Sequence, residues 1–178
     1  MSIPKKLINY LDKAEAKYKL LEHRTVFTAW DMAQTLHVKP EQIVKTLVIK
    51  IKGKIPILVN LPANKNLDKK KLANVVKTYA DKLKKQDIQP VWVLELKGKS
   101  PTVDFAKEAW VKQKLLGKVG STPAFGVLQK LPVFMDKVLD KQKKLILNSG
   151  DYNTAVEMTM AQFKKLEAPL TGNFSVKK

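Results

Sequence analysis

A lysine at the mouth of an apolar strand is the first residue of this chain whose placement asks for chemistry. Lys45 lies within Gln42-Ile43-Val44-Lys45-Thr46-Leu47-Val48-Ile49. Burial of its ammonium costs several kcal/mol unless an anion compensates, so the position suits a phosphate or a carboxylate. The alternative is a stem packed along the sheet with the ammonium reaching water. Far downstream, Gly120-Ser121-Thr122-Pro123 is by itself a turn-forming string. Its glycine permits close backbone approach and its proline fixes the exit of the turn. Asp136 could serve as a general base, but its place at the end of a strand favours a turn or capping role. Trp30, Trp92 and Trp110 could stack on bases, although tryptophans at helix and strand spacing more often pack a core or its rim.

Composition removes several classes of mechanism. With no cysteine, disulfide frameworks, thiol nucleophiles and thiolate zinc sites are excluded. Only His23 and His37 are available as histidines, and no Ser-His-Asp arrangement is evident. No metal or organic cofactor is expected. The net charge of +18 and pI near 9.9 point to an anionic partner, nucleic acid first. Arg24 is the sole arginine, so guanidinium reading of bases is largely unavailable and phosphate attraction fits better. A lysine-rich surface is also a habit of heat-adapted proteins. Met1-Ser2-Ile3-Pro4-Lys5-Lys6 is not an apolar leader and no run is long enough to span a membrane, which implies a cytoplasmic address.

The elements that must position these residues follow from periodicity. Leu7, Leu11, Ala14 and Tyr18 form a helical stripe after Pro4. Thr28 with Asp31 three residues on is a capping-box pattern opening a second helix, with Met32, Leu36 and Val38 inward. Two apolar runs from Ile43 to Leu61 around Lys52-Gly53-Lys54 read as a hairpin of buried strands. Asn66-Leu67-Asp68 starts a long helix whose stripe is Leu72, Val75, Val76, Tyr79 and Leu83, with lysines largely filling the other faces. Val91-Trp92-Val93-Leu94 reads as a strand, followed by a helix carrying Phe105, Ala109 and Leu116 on one side. Residues Pro132 to Asp136 and Lys144 to Asn148 read as a second hairpin around Asp140-Lys141, and Thr159 opens a last helix toward Leu166.

At 178 residues and 44% hydrophobic content the chain can bury one sizeable core. Residues 1–172 are expected to form one α+β domain, a mixed, mostly antiparallel, twisted or barrel-like sheet flanked by helices. Residues 173–178 are expected to be a loose basic tail.

Taken together, His23, Thr28-Ala29, Met32-Ala33, Ile43-Val44-Lys45-Thr46-Leu47, Leu58 to Pro62, Leu67-Asp68-Lys69-Lys70-Lys71-Leu72, Gly120 to Pro123, Pro132 to Asp136 and Asn148-Ser149-Gly150 resemble, in order, the YbaK and prolyl-tRNA editing domain family. That resemblance implies an aminoacyl-tRNA deacylase acting on mischarged tRNA, of the free-standing kind, with an aminoacyl-tRNA synthetase as a possible associate. It implies that Lys45 engages the acceptor end and that Gly120, Ser121, Thr122 and Pro123 hold the ester carbonyl and terminal ribose. His23 and Thr28 would begin the pocket wall, and Asn148 and Gly150 would form the late turn. Two departures stand out. The family glycine usually lies four residues before the proline, where this chain has Val119, and the stretch from about 78 to 100 is longer than usual.

An aminoacyl ester is already activated, so its hydrolysis needs an oriented water and oxyanion stabilisation more than a protein nucleophile. The resemblance further implies that the substrate's 2′-hydroxyl helps to activate water. On this reading the Lys45 ammonium and the amides of Gly120 to Thr122 should line one cleft.

Overall fold

The structure is a computed structural model and describes residues 3–178. The first helix, α1 (Lys5–Lys13), has Pro4 as its N-cap and buries Leu7 and Leu11 completely. Tyr18 lies beyond the helix, its hydroxyl donating to Asp12 Oδ1 at 2.8 Å. A strand, β1 (Lys19–Glu22), leads to α2 (Ala29–Leu36), where the Thr28 hydroxyl caps the Asp31 amide at 3.0 Å as the spacing predicts. The predicted hairpin forms as β2 (Ile43–Ile51) and β3 (Ile55–Pro62), closed by Lys52 and Gly53 at positive φ. Next come β4 (Lys65–Leu67) and α3 (Lys69–Lys85), the latter N-capped by Asp68 through the Lys71 amide.

The chain continues through α4 (Val91–Leu94), β5 (Val103–Phe105), α5 (Glu108–Lys114), α6 (Gly126–Gln129) and β6 (Val133–Asp136). It ends with β7 (Lys144–Asn148), β8 (Thr154–Thr159), α7 (Met160–Glu167), β9 (Leu170–Gly172) and β10 (Ser175–Lys177). The main sheet runs β1-β8-β7-β2-β3-β6-β9 with β5 beside β2, and β10 pairs with β4 separately. It is an open sheet, mixed in direction: β2·β7, β3·β6 and β6·β9 are parallel and the remaining pairs antiparallel.

Alternation along β2 sorts the core into two layers. Val44 and Val48 pack with Leu7, Leu11, Phe125 and Phe163, whereas Ile49 and Ile51 pack with Leu72, Val76 and Phe134 beneath α3. A single sheet thus carries helices on both faces, and the one α+β domain expected from the sequence is what forms.

Four local expectations are corrected. Val91–Leu94 is one helical turn after Pro90, with adjacent Trp92 and Val93 buried while Val91 and Leu94 face out, a pattern no strand produces. Phe105 belongs to β5 and Ala109 is exposed, while α5 packs through Trp110 and Val111. The second hairpin does not form: β6 pairs with β3 and β7 with β2, on opposite sides of the first hairpin. All of β6 and most of β7 are buried, and each gains a central position beside β2 or β3 as well as an outer neighbour. Residues 173–178 are not a loose tail, because Phe174 is fully buried and β10 pairs with β4.

Candidate active site

The site begins at an interruption in the sheet. One edge of β2 is covered by β3; the other is covered by β7 at Ile43 and Val44 and by β5 from Ile49 to Ile51. Between Lys45 and Leu47 that second edge carries no strand. Here a cleft of about 340 Å³ opens, lined among others by Thr46, Phe105, Glu108, Val119, Gly120 and Thr122.

The loop on the far wall is rigidly built. Gly120 has φ +80°, a left-handed conformation that glycine adopts without strain. Ser121 is buried, its hydroxyl donating to Asp151 O at 2.7 Å and its amide to Lys118 O at 2.9 Å. Pro123 is buried and its carbonyl accepts from Gln129. Beneath the loop, the fully buried Asn60 accepts from the Thr46 hydroxyl at 2.9 Å and donates to Ala124 O at 3.4 Å. That chain of bonds ties the hairpin to the loop. Among the described residues, the amides of Gly120 and Thr122 have no intramolecular acceptor. Both residues line the cleft, and unengaged backbone N–H groups are the kind of donor that stabilises an oxyanion.

Asn148 closes β7 and Gly150 lies in the turn that follows it. Asn148 is a buried residue of β7, opposite Ala155. Gly150 accepts from the Lys118 amide at 2.9 Å and packs against Gly117. Lys118 pairs with the buried Asp151, and the Tyr152 hydroxyl donates to Val119 O at 2.6 Å. Gly150 thus holds the loop by close backbone approach.

His23 and Thr28 bracket a segment that lies over the same turn. The His23 amide donates to Asn153 O and the Val26 amide to Tyr152 O. Phe27 meets Tyr152 edge to face with centroids 4.9 Å apart, and its carbonyl stands 3.8 Å from a Cβ built on Gly120. His23 Nδ1 lies 2.7 Å from Arg24 O, and its buried Nε2 has no hydrogen-bond partner among the described residues. Thr28 is committed to its cap, donating to Asp31 Oδ2 as well as accepting from the Asp31 amide.

Lys45 faces the other way. It is odd in the alternation of β2, so its half-buried stem lies on the α3 side and its ammonium donates to Lys65 O. Burial lowers its pKa from that of an ordinary lysine, and the nearby charge of Lys178 lowers it further. Lys45 is not among the residues lining the cleft, where Thr46 stands instead. The single cleft expected from the sequence is thus divided, with the unpaired edge of β2 between its halves.

Thr46, Asn60 and Glu108 were not singled out in the sequence. Asn60 carried a signal, an amide within the otherwise apolar run Ile55 to Pro62, which has to satisfy itself when buried. Asp136 fulfils the capping role: its two oxygens accept from the Val138, Phe174 and Ser175 amides at 2.7 to 2.9 Å. Trp92 packs on Phe134 in the core, Trp110 is partly buried under the Lys50 ammonium, and Trp30 remains 43% exposed. A wider groove of about 410 Å³ runs between α3 and β9, but its Tyr79 hydroxyl is already bonded to Thr171 O and to the Thr171 amide. Among the described residues no group of three or more His, Asp or Glu side chains is placed to hold a metal ion. No helix among them is long and apolar enough to cross a membrane.

The open mixed sheet, with its glycine loop set beside the unpaired stretch of β2, defines a single α+β domain with a candidate binding cleft. The family model of the aminoacyl-tRNA editing domain matches residues 23–91 and 93–166, so the chain belongs to that family. Among solved structures, it is similar in fold to the hypothetical protein APE2540, at 17% identity and a TM-score of 0.76, over 96% of this chain and 99% of that one. It is also similar to a candidate trans-editing enzyme for prolyl tRNA synthetase, at 19% identity and a TM-score of 0.72, over 98% and 96%. No functionally curated protein matches the sequence.

Proposed function

We propose that this protein is an aminoacyl-tRNA deacylase that hydrolyses the ester of mischarged tRNA in trans, with errors on prolyl-tRNA the first candidates. The observation that carries this reading is the pair of unengaged amides, Gly120 and Thr122, at a cleft beside the unpaired edge of β2. The ester carbonyl sits against those amides, and the terminal phosphate crosses the strand edge to the Lys45 ammonium, whose acceptor among the described residues is the neutral Lys65 carbonyl. Charge develops on the carbonyl oxygen as water adds, and fixed donors stabilise it without reorganisation. The net charge of +18 draws in the acceptor stem. A synthetase is a fitting associate and the cytoplasm the fitting compartment for such a reaction.

The test is release of amino acid from cellular tRNAs mischarged with alanine, serine, cysteine or proline, run beside Lys45→Ala. Release that falls at least tenfold in the variant is expected, and its pattern names the amino acid. Equal release by both proteins would sink the role of Lys45.

A second reading, a tRNA-binding protein without hydrolytic activity, is favoured by one feature: the Ser121 amide, in the middle of the loop, is spent on Lys118 O. Salt-sensitive tRNA binding with no release from any charged tRNA would select it.

A further inference from the structure

The C-terminal strand brings a second cation and an aromatic surface to Lys45. β10 pairs with β4 so that Lys177 stands opposite Lys65, the residue whose carbonyl receives the Lys45 ammonium. One residue on, Lys178 places its ammonium 5.4 Å from the centre of the Trp30 ring. Trp30 sits in the first turn of α2 and is 43% exposed, the most exposed of the three tryptophans, the other two packing against Phe134 and Lys50. The segment carrying Lys178 is held in place: Phe174 is fully buried, and the amides of Phe174 and Ser175 both donate to the buried Asp136 carboxylate.

The Lys178 ammonium on the indole and the Lys45 ammonium on Lys65 O repel each other across this corner, and Lys45 has its pKa lowered by burial and then by Lys178. Among the described residues no carboxylate pairs with Lys45; its bond is to a neutral carbonyl. A ligand that relieves this arrangement carries an anion between the lysines and a flat ring for the indole. A nucleotide offers both, since a phosphate attracts ammoniums and every base has a face that stacks on an aromatic side chain.

We propose that Trp30 and Lys178, with Lys45, form a binding subsite for the 3′-terminal nucleotide of an RNA, the base stacking on Trp30 and its phosphate held between the two lysines. In the empty site Lys178 rests on the indole; in the complex it turns to the phosphate and the base takes its place. This inference rests on the editing reading for the identity of the RNA but not for the subsite's existence.

The probe is a short RNA hairpin with a single-stranded CCA 3′ end, compared with the same hairpin lacking its terminal adenosine. Dissociation constants are measured across a salt series for the intact chain and for Trp30→Leu, Trp30→Phe, Lys178→Met and the distant surface control Lys130→Met. The intact chain is expected to prefer the complete hairpin at least about fivefold, the low end of what one stacked base contributes. Trp30→Leu should abolish that preference and Trp30→Phe retain most of it. Lys178→Met should weaken binding and reduce the slope of log K against log salt by about 0.7, the loss of one phosphate contact on a single strand. Lys130→Met should leave the preference unchanged.

Equal affinity of the intact chain for both hairpins overturns the proposal, as does a Trp30→Leu variant that still prefers the complete one. Tighter binding by Lys178→Met also overturns it, marking Lys178 as a cover on the indole and not a phosphate ligand. Deacylation assayed on the same proteins separates the two readings. An intact terminal-adenosine preference without hydrolysis defeats only the enzyme assignment; hydrolysis without the preference defeats only the subsite.

Discussion

A Cβ built on Gly117 would fall 2.5 Å from Gly150 Cα, so the two segments that shape the candidate site touch backbone to backbone. Both glycines have φ near +90°, and no side chain is compatible with either the space or the conformation. Gly117→Ala should therefore cost about 2 kcal/mol or more and should loosen the segment that runs into Gly120. Urea unfolding gives the first quantity, and hydrogen exchange of the Val119 to Thr122 amides gives the second. Exchange unchanged in a destabilised variant would show that the loop keeps its shape without this contact.

Asn60 makes the corresponding link from the hairpin. It is fully buried, and its amide joins the Thr46 hydroxyl to Ala124 O directly after the loop. Asn60→Ala leaves a donor and an acceptor unmatched and opens a small void, which together should cost about 2–4 kcal/mol. If the Gly120 and Thr122 amides bind the reacting ester, kcat should fall more than KM rises, because the loop is displaced where charge develops. Steady-state deacylation together with thermal unfolding separates that outcome from a purely structural loss, which would lower the melting temperature and leave kcat of the folded fraction alone.

Asp136 is the anchor of the C-terminal strand, its carboxylate accepting three amides while fully buried. Asp136→Ala strands those donors and should cost at least about 3 kcal/mol. The loss should be local first: residues 174–178 detach from β4, and a lysine-specific protease should remove Lys178 faster than it does from the unsubstituted chain. Asp136→Asn, which keeps one carbonyl oxygen, should fall between the two. Equal cleavage of all three chains would mean that the Phe174 side chain holds the strand unaided.

Much of this arrangement was legible in the residues, for reasons that are local. Thr28 and Thr159 announce helices because a cap is made within three residues of itself, and each caps the amide its spacing points to; Asp68 does the same for α3. The β2–β3 hairpin is equally local, since Lys52 and Gly53 supply the turn. The second hairpin fails because pairing of β6 and β7 is decided by which edges the first hairpin leaves open, and that is a property of the assembled sheet. The lysine and the glycine loop are visible as strings. Their division between the two faces of β2 follows from strand alternation, but only once the neighbours of each face are known. Residues 173–178 look loose because they are short and basic, while what fixes them is a carboxylate at Asp136 and a neighbour at Lys65.

Glu167 gives the protein a pH dependence whose sign can be stated. It is 7% exposed at the end of α7, accepting from the Tyr10 hydroxyl at 2.7 Å and the Val127 amide at 3.0 Å. Burial raises its pKa above that of an ordinary glutamate, outweighing those hydrogen bonds, which lower it. The native state therefore holds this proton more tightly than the unfolded chain. Its contribution to stability is complete below the ordinary glutamate value of about 4.3 and is lost as pH rises from there through the folded value. Glu167→Gln cannot ionise, keeps an oxygen for Tyr10, and turns its amide toward the Val127 N–H at a constant cost of about 1 kcal/mol. The stability of the variant relative to the parent should consequently rise with pH across that window and then level off. Urea titrations at half-unit steps from pH 4 to 8 follow the difference directly. A difference independent of pH would mean that the carboxyl titrates in the folded protein as it does in the unfolded one, and that the hydrogen bonds from Tyr10 and Val127 fully compensate its burial.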